Sequence, residues 1–390
     1  MIQLLLTLIY ISFISLGLPD GILGAAWPTM HQDLGVPVSY AGIISMIIAA
    51  GTIVSSLLSD KLTHRYGAGK VTAVSVAMTA VSLIGYAMTR SFWVLCLVSV
   101  PYGLGAGCVD AALNNYVALH FASRHMSWLH CAWGFGAAVG PYVMGFVLTG
   151  GGDWPEGYLY IGIAQVILTA VLLISLPVWD RKTGLEEQEQ TEKESLRLSQ
   201  VIKLPGAWEI LVAFFCYCAL EQTAALWASS YLNVYKGVSP ETAAFFGSMF
   251  FMGMTVGRVL NGFLTYRFTD TQLIRCGNLF ILVGILAMLL PLGQLPALIG
   301  FVLIGVGCAP IYPCIIHSTP ENFGAENSQL MIGIQMASAY VGILVAPTVF
   351  GMLARHISMA LMTPFLLIHL ALMWFMYERT ERKTKQKHLV

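Results

Sequence analysis

Three acidic side chains lie inside long apolar stretches of this 390-residue chain, and they are the residues most able to do chemistry there. They are Asp20, Asp110 and Glu221, and the sequence suggests no Lys or Arg at a comparable depth. An ionised carboxylate at the centre of a membrane-spanning helix costs about 2.5–3.5 kcal/mol on insertion scales. A carboxyl group avoids this cost by facing a wet cavity or by staying protonated. Reversible proton binding is therefore the expected chemistry of Asp110 and Asp20, with sodium coordination as the alternative.

Amides, aromatic rings and a histidine accompany these acids in the same apolar segments. The candidates for substrate contacts are Glu221, Gln222, Asn114, Asn115, His130, Trp133, Trp227, Trp27 and Gln335. Amides and carboxylates offer hydrogen-bond donors and acceptors, and an aromatic ring offers an apolar face, which together suit a neutral polyol such as a sugar. The alternative is hydrogen bonding between helices for the amides and a core position for His130. With no basic side chain expected in this cavity, phosphorylated and carboxylate substrates are disfavoured, and cations attracted by the acids remain an alternative.

The composition is that of a membrane protein, with 57% hydrophobic residues, 10% charged residues and a mean hydropathy of +0.74. Soluble domains carry roughly 25% charged residues. The formal net charge is zero, which gives no reason to expect nucleic-acid binding. The eight cysteines contain no CxxC pair, and no nucleophile–base pair or metal cluster is apparent. We therefore expect no enzyme, no metal site and no cofactor besides a coupling proton or sodium ion.

Twelve apolar windows are long enough to cross a membrane as helices, which takes about 20 mostly apolar residues. They cover residues 3–29, 38–58, 70–88, 92–119, 128–149, 157–178, 206–232, 242–264, 273–291, 294–316, 329–352 and 358–377. No basic residue precedes the first window and Asp20 interrupts it, so we expect a retained helix rather than a cleaved signal peptide. The windows predict an all-α membrane protein with twelve transmembrane helices.

The distribution of basic residues predicts the orientation of these helices. Of the 20 Lys and Arg residues, all but Arg90, Lys236 and Arg355 fall on the side of a long polar stretch, Asp180–Lys203, that joins the sixth window to the seventh. The cytoplasmic loops of membrane proteins carry the excess of Lys and Arg. We therefore expect the polar linker and both termini in the cytoplasm and the protein in the cytoplasmic membrane.

The two halves of the chain repeat each other. Gly51–Tyr66 aligns with Gly253–Phe268, and in this register Asp20 and Glu221 fall at nearly equivalent places, whereas Asp110 has no acidic counterpart. The predicted organisation is a six-helix bundle over 1–178, a linker over 179–205, a second, pseudo-symmetric six-helix bundle over 206–378 and a basic tail over 379–390. Such duplicated halves are typical of secondary transporters that work by alternating access, with the substrate site near the bilayer midplane between the halves.

The segment SDKLTHRYGAGK carries Asp60, Arg65 and Gly67 in the order found in the acidic-basic loop of the major facilitator superfamily, which it resembles. The repeat of Gly51–Tyr66 in the second half, Gly253–Phe268, carries Arg258 and Arg267. The resemblance implies the major facilitator fold. It also implies that these five residues belong to loops that take part in the conformational switch.

Four further segments resemble the fucose–galactose–glucose:proton symporter branch of that superfamily. They are GLGAGCVDAALNNY (Gly103–Tyr116), LHCAWGFGAAVGP (Leu129–Pro141), CALEQTAALWASSYL (Cys218–Leu232) and CAPIYPCI (Cys308–Ile315). The resemblance implies that Asp110 and Asp20 are the helix 4 and helix 1 acids of a proton-coupled uptake system for a neutral sugar. Sodium-coupled sugar uptake and export of cationic drugs or metabolites on the same fold are the alternatives. We expect a monomer whose partners are the solute and the lipid bilayer.

Overall fold

The computed structural model describes residues 2–37, 40–190 and 196–388, and nearly all of these residues are helical. The helices are α1 (Ile2–Gly17), α2 (Ile22–Asp33), α3 (Ala41–Tyr66), α4 (Ala68–Met88), α5 (Phe92–His120), α6 (Ser123–Thr149), α7 (Trp154–Gln190), α8 (Leu198–Val201), α9 (Ala207–Ser230) with a π-helical extension (Tyr231–Tyr235), α10 (Pro240–Leu264), α11 (Asp270–Leu289), α12 (Leu295–Cys308), α13 (Ile311–His317), α14 (Thr319–Phe323), α15 (Ala325–His356), a 3-10 turn (Met359–Leu361) and α16 (Met362–His388). Within the described residues, eleven helical segments are long and apolar enough to cross a membrane, and Met249–Leu264 is a shorter apolar helix. The predicted all-α membrane fold is confirmed.

Several helices continue beyond the apolar windows that predicted them. The window 38–58 became α3, which ends only at Tyr66, and the window 157–178 became α7, which continues to Gln190 into the predicted linker. Hydropathy marks the part of a helix that fits the hydrocarbon core, whereas backbone hydrogen bonds carry the same helix on into polar surroundings. Residues 191–195 of the predicted linker and 389–390 of the predicted tail lie outside the described residues.

The chain forms two compact units. The first contains Met1–Tyr116 and Leu129–Ser195, and the second contains Val117–Trp128 and Leu196–Val390. In the first unit α4 packs along α7. In the second unit α9 packs against α15 and α16, and α11 packs against α12. The segment Val117–Trp128, which joins α5 to α6, thus belongs to the second unit by its contacts.

Glycine residues on α6 let this helix lie close to α1. A Cβ atom at Gly136 would collide with the carbonyl oxygen of Ile14, and one at Gly140 with that of Leu18. Small residues at such crossings allow the backbones of membrane helices to touch. The two glycines therefore bring α6 against the end of α1, where Asp20 follows.

Two of the apolar segments are interrupted between their ends. The turn 18–21 separates α1 from α2 and contains Pro19 and Asp20, and the Asp20 amide donates to the Gly17 carbonyl at 3.0 Å. Pro19 has no amide hydrogen, so it cannot donate the bond that would continue α1. In the second unit the chain is broken after Cys308, between α12 and α13. Interrupted helices are where secondary transporters place substrate and ion sites.

Candidate functional site

Asp20 lies in the turn between α1 and α2, and side chains from two other helices of the first unit bind it. The indole Nε1 of Trp133 on α6 donates to Asp20 Oδ2 at 2.8 Å, and the Tyr102 hydroxyl on α5 donates to Oδ1 at 3.2 Å. Tyr102 is buried, whereas Asp20 is exposed. Each oxygen thus accepts a hydrogen bond from an uncharged donor and keeps a further lone pair for a proton or for a hydroxyl of a solute.

Asp110, Asn114 and His130 form a buried, hydrogen-bonded row between α5 and α6. Asn114 Nδ2 donates to Asp110 Oδ1 at 2.7 Å and to the Asp110 carbonyl at 3.0 Å. Asn114 Oδ1 lies 3.1 Å from His130 Nε2, and the ring of Phe13 packs edge-on against the imidazole. All three polar side chains are at most 5% exposed. Because the amide oxygen only accepts, His130 carries a proton on Nε2, and the amide links a carboxylate to a second titratable group.

Glu221 on α9 lies beside a tyrosine and an arginine in the second unit. Tyr217, one turn earlier, is hydrogen-bonded to Glu221 Oε2, and its hydroxyl lies 3.0 Å from the carbonyl oxygen of Cys308 at the end of α12. Arg258 of α10 is 4% exposed, and its Nη2 lies 4.0 Å from Glu221 Oε1. A phenol has one proton to donate. The Tyr217 hydroxyl shares this proton between the Glu221 carboxylate and the Cys308 carbonyl.

The position of Arg258 shows that two expectations from the sequence are wrong. The family resemblance places Arg258 with the residues of the switch loops, and the distribution of charge leaves the three acids without a basic residue at their depth. In the structure Arg258 lies within α10, which continues to Leu264, and it is buried next to Glu221. An arginine is tolerated in an apolar helix when a carboxylate on a neighbouring helix compensates its charge. Counting charges along the sequence cannot detect such a pair.

Two of the predicted substrate residues make contacts inside the second unit. Gln335 on α15 is fully buried, and its Oε1 accepts from the Thr319 hydroxyl at 3.0 Å. Among the described residues, Gln335 Nε2 has no acceptor. Trp227 on α9 donates from Nε1 to the Pro347 carbonyl at 3.1 Å. The Gln335 amide is thus a buried donor that a bound polar group would satisfy, whereas the Trp227 indole nitrogen is already bonded.

Three other predicted substrate residues lie on α5, α9 and α2. Asn115 is buried on α5 and Gln222 is half-buried on α9, next to Glu221 in the chain. Trp27 on α2 is 5% exposed and packs in an apolar cluster with Met30. The position of Trp27 is that of a core residue of the first unit.

The predicted switch residues lie mostly at helix ends. Asp60 and Arg65 belong to the last two turns of α3 rather than to a loop, because α3 continues to the residue before Gly67. Asp60 Oδ1 lies 3.4 Å from His64 Nε2. Gly67 joins α3 to α4 with φ at +80°, a conformation that favours glycine. Arg267 is exposed in the turn between α10 and α11. The expectation that Asp60 and Arg65 lie in a loop is therefore wrong, because both residues lie in α3.

Comparison with known families identifies the protein class. The profile of the Major Facilitator Superfamily matches residues 9–293 and 224–389. The chain belongs to this superfamily. It is accordingly a multi-pass membrane transporter and not an enzyme, as its sequence predicted.

Several curated relatives are similar to this chain along most of their length. An uncharacterized MFS-type transporter of Yersinia pestis is 23% identical over 86% of this chain and 86% of its own. The 4-hydroxybenzoate transporter PcaK of Pseudomonas aeruginosa is 24% identical over 86% of this chain and 83% of its own. The quinolone resistance protein NorA of Staphylococcus aureus is 21% identical over 88% of this chain and 87% of its own. Because these names refer to different solutes, the substrate has to be argued from the site.

Solved structures of the superfamily share the fold. The crystal structure of FucP in the outward conformation matches with a TM-score of 0.78 at 14% identity, over 96% of this chain and 98% of FucP. The proton:xylose symporter XylE matches with a TM-score of 0.77 at 13% identity, over 96% of this chain and 94% of XylE. The predicted resemblance to the branch of the fucose:proton symporter is confirmed at the level of the fold.

The tyrosines that bind two of the acids are not evident from the sequence. Tyr217 could have been found, since it precedes Glu221 by one helical turn and faces the same way. Tyr102 could not, because it reaches Asp20 from a different helix, and no spacing in the sequence records that contact.

The second unit also contains a polar cluster that is not evident from the sequence. Asp270, the first residue of α11, accepts a hydrogen bond from Ser123 and lies 2.6 Å from His317 Nδ1. His317 Nε2 lies 3.1 Å from the Phe121 carbonyl. These bonds join the segment Val117–Trp128 to α11 and α13. Their partners are far apart in the chain, so only the folded structure brings them together.

Proposed function

We propose that this protein is a secondary active transporter that couples uptake of a small neutral polar solute, a sugar, to protons. The observation that carries the proposal is the pair of carboxylates, Asp20 and Asp110, among the apolar helices of the first unit. The indole of Trp133, the phenol of Tyr102 and the amide of Asn114 donate hydrogen bonds to them. Because these donors are uncharged, none of them loses a compensating negative charge when the carboxylate is protonated. The acids can therefore load and release a proton within the membrane.

The different exposure of the two acids supports different roles. Asp110 is 5% exposed, so its charge is costly there, and Asn114 links it to His130 as a second proton acceptor or donor. Asp20 is exposed and keeps lone pairs beyond those that Trp133 and Tyr102 use. Asp110 is accordingly the site of the coupling proton. Asp20 binds the solute, and its affinity for the solute changes when Asp110 takes up the coupling proton.

The chemistry around Asp20 suits sugar hydroxyl groups. A hydroxyl donates to a carboxylate and accepts from an amide, and the face of an indole covers the C–H groups of a sugar ring. Trp133 supplies such a ring next to Asp20. The fold neighbours FucP and XylE, named as a fucose:proton symporter and a proton:xylose symporter, agree with this assignment.

Transport by the reconstituted protein tests the proposal. Uptake of labelled hexoses into proteoliposomes is measured with a proton gradient and a sodium gradient imposed separately. We expect hexose accumulation with the proton gradient, loss of that accumulation in Asp110→Asn, and retention of hexose counterflow in the same variant, because binding survives without the titratable proton. Glu156→Gln is the matched control, since it changes an exposed carboxylate in the first turn of α7 in the same way.

Three outcomes would contradict this function. Accumulation driven by the sodium gradient alone would show that sodium, and not the proton, is the coupling ion. Absence of hexose uptake with either gradient, together with extrusion of cationic dyes, would favour an exporter. Accumulation that persists in Asp110→Asn would remove this acid from the coupling step.

Arg258 favours a second candidate, proton-coupled uptake of an aromatic carboxylate. The guanidinium is buried 4.0 Å from Glu221, and an arginine at this position can bind a carboxylate of the solute as it binds that of Glu221. A relative named 4-hydroxybenzoate transporter covers most of this chain. The same vesicles supplied with labelled 4-hydroxybenzoate separate the two candidates. Uptake of this acid that disappears in Arg258→Gln, without hexose uptake, would select the second.

A further inference from the structure

A long apolar groove crosses the surface of the first unit between α3, α4 and α7, with α5 at its floor. Its volume is about 570 Å³, and Asp20 and Asp110 are not among its lining residues. Leu58, Leu62 and Val74 form its walls and are between 37% and 57% exposed. The groove is therefore open along its side and has walls of aliphatic side chains.

The length of the groove matches one leaflet of a bilayer. Its lining extends from Ser55 to Tyr66 on α3 and from Lys70 to Met78 on α4. At roughly 1.5 Å per residue these stretches are about 12–16 Å long. The hydrocarbon core of a bilayer is roughly 30 Å thick, so the groove extends from its surface to about its middle. An extended acyl chain has this shape and this depth.

One end of the groove is polar and positively charged. Tyr66 and Lys70 line it there, and both are exposed. The guanidinium of Arg65 lies 5.3 Å from the centre of the Tyr66 ring. An ammonium and a phenol both donate hydrogen bonds, which suits a phosphate group. The distribution of Lys and Arg predicts this end in the cytoplasmic leaflet, where anionic lipids attract basic side chains.

We propose that this groove binds one acyl chain of an anionic phospholipid, with the phosphate at Lys70 and Tyr66. The apolar walls of α3 and α4 select a chain rather than a polar solute, and Lys70 selects an anionic headgroup over one of zero net charge. α3 buries only 22% of its spanning window within the protein, against 56% for α4. A lipid in the groove covers part of the surface that α3 leaves open.

Native mass spectrometry of the purified, full-length protein tests this site with phosphatidylglycerol and phosphatidylcholine that carry the same acyl chains. We expect the wild type to retain one phosphatidylglycerol about fivefold better than phosphatidylcholine. Lys70→Gln removes that preference because it lowers phosphatidylglycerol retention more than phosphatidylcholine retention, whereas Val74→Trp fills the groove and lowers retention of both lipids. Lys61→Gln is the control, because Lys61 is an exposed lysine of α3 that does not line the groove.

A photoactivatable phosphatidylglycerol with the reactive group on its acyl chain locates the bound lipid. Crosslinks to the residues of α3, α4, α5 and α7 that line the groove support the proposal. Crosslinks confined to residues that do not line the groove, equal retention of the two lipids, or full phosphatidylglycerol retention in Val74→Trp would each overturn it. These readouts do not depend on transport, so they stand apart from the test of the proposed function.

Discussion

The two units hold their intramembrane acids in different surroundings. In the first unit an indole and a phenol donate to Asp20, which lies in the break between α1 and α2. In the second unit Glu221 lies in the continuous helix α9 beside the Arg258 guanidinium, and Tyr217 connects it to the break after α12. Asp20 and Glu221 fall at nearly equivalent places in the repeat, but Asp20 is bound by uncharged donors whereas Glu221 lies beside a guanidinium.

The difference between these positions is one of charge balance. Ionised Asp20 carries a net charge that its uncharged donors do not cancel, so taking up a proton removes an unfavourable charge from the membrane. Ionised Glu221 and Arg258 cancel each other, and protonating Glu221 leaves a buried guanidinium without its carboxylate. We infer that the first unit is suited to a proton that comes and goes, and the second to a charge pair that stays or opens for a charged solute.

Exchanging the acids for amides in each unit is the strongest test of this contrast. Asp110→Asn removes the buried acid of the first unit, and we expect proton-driven accumulation to fall to background while counterflow continues. Glu221→Gln leaves Asp20 and Asp110 in place, so accumulation should persist, with a weaker apparent affinity for the solute. Initial rates and steady-state accumulation in proteoliposomes measure both. If Glu221→Gln loses accumulation and Asp110→Asn keeps it, the assignment of the units is reversed.

Removing the cation of the second unit tests its charge balance directly. Breaking a buried ion pair by deleting one partner costs about 3–5 kcal/mol. We expect the loss of stability in Arg258→Met to fall at the lower end of this range, because the Glu221 side chain is 19% exposed and can take up a proton. Thermal unfolding of the purified protein should show a lower Tm for Arg258→Met and recovery in Arg258→Met/Glu221→Gln.

A surface pair provides the control for this measurement. Arg275 makes two hydrogen bonds to Glu378, each 2.7 Å long, but its side chain is 46% exposed. Exposed pairs contribute roughly 0–1 kcal/mol, so Arg275→Met should change the Tm little. If the two variants lower the Tm equally, the Arg258 pair is not balancing buried charge.

The sequence predicted the helices and the acids for the same physical reason. A bilayer requires each spanning segment to be long and apolar, so both the segments and the charges that interrupt them are visible in the sequence. Contacts between helices are not visible in this way. Trp133 meets Asp20 because Gly136 lets α6 lie on the backbone of α1, and Arg258 meets Glu221 because α10 packs on α9. These contacts depend on the positions and angles at which the helices cross, and a hydropathy profile contains no information about them.

Removing one hydrogen-bond donor to Asp20 at a time tests how Trp133 and Tyr102 contribute to solute binding in the first unit. Trp133→Phe keeps the ring but removes the Nε1 donor at 2.8 Å, and a hydrogen bond to a charged group contributes about 1.5–3 kcal/mol. We expect the apparent affinity for the solute in counterflow to weaken about tenfold, because Asp20 is no longer oriented. Tyr102→Phe removes a longer bond and should have a smaller effect. Trp93→Phe, at a 72% exposed tryptophan, is the control, and an equal loss there would mean that the indole acts through general packing.

The turns that repeat between the units offer the smallest and most local comparison. Gly67 joins α3 to α4 at φ +80° and ψ 154°, whereas Thr269, the residue before α11, is extended and its hydroxyl accepts a hydrogen bond from the Gln272 amide at 3.3 Å. Gly67→Ala forces a side chain into a region almost restricted to glycine, which costs about 1–3 kcal/mol, and Thr269→Ala removes a helix cap that contributes about 1 kcal/mol. At roughly 2–4 °C per kcal/mol, both should lower the Tm, Gly67→Ala by more. Gly145→Ala, within α6 and with open space around the new Cβ, should not lower it. A larger loss for Thr269→Ala would mean that the capped turn of the second unit, and not the glycine turn of the first, is the more constrained of the two.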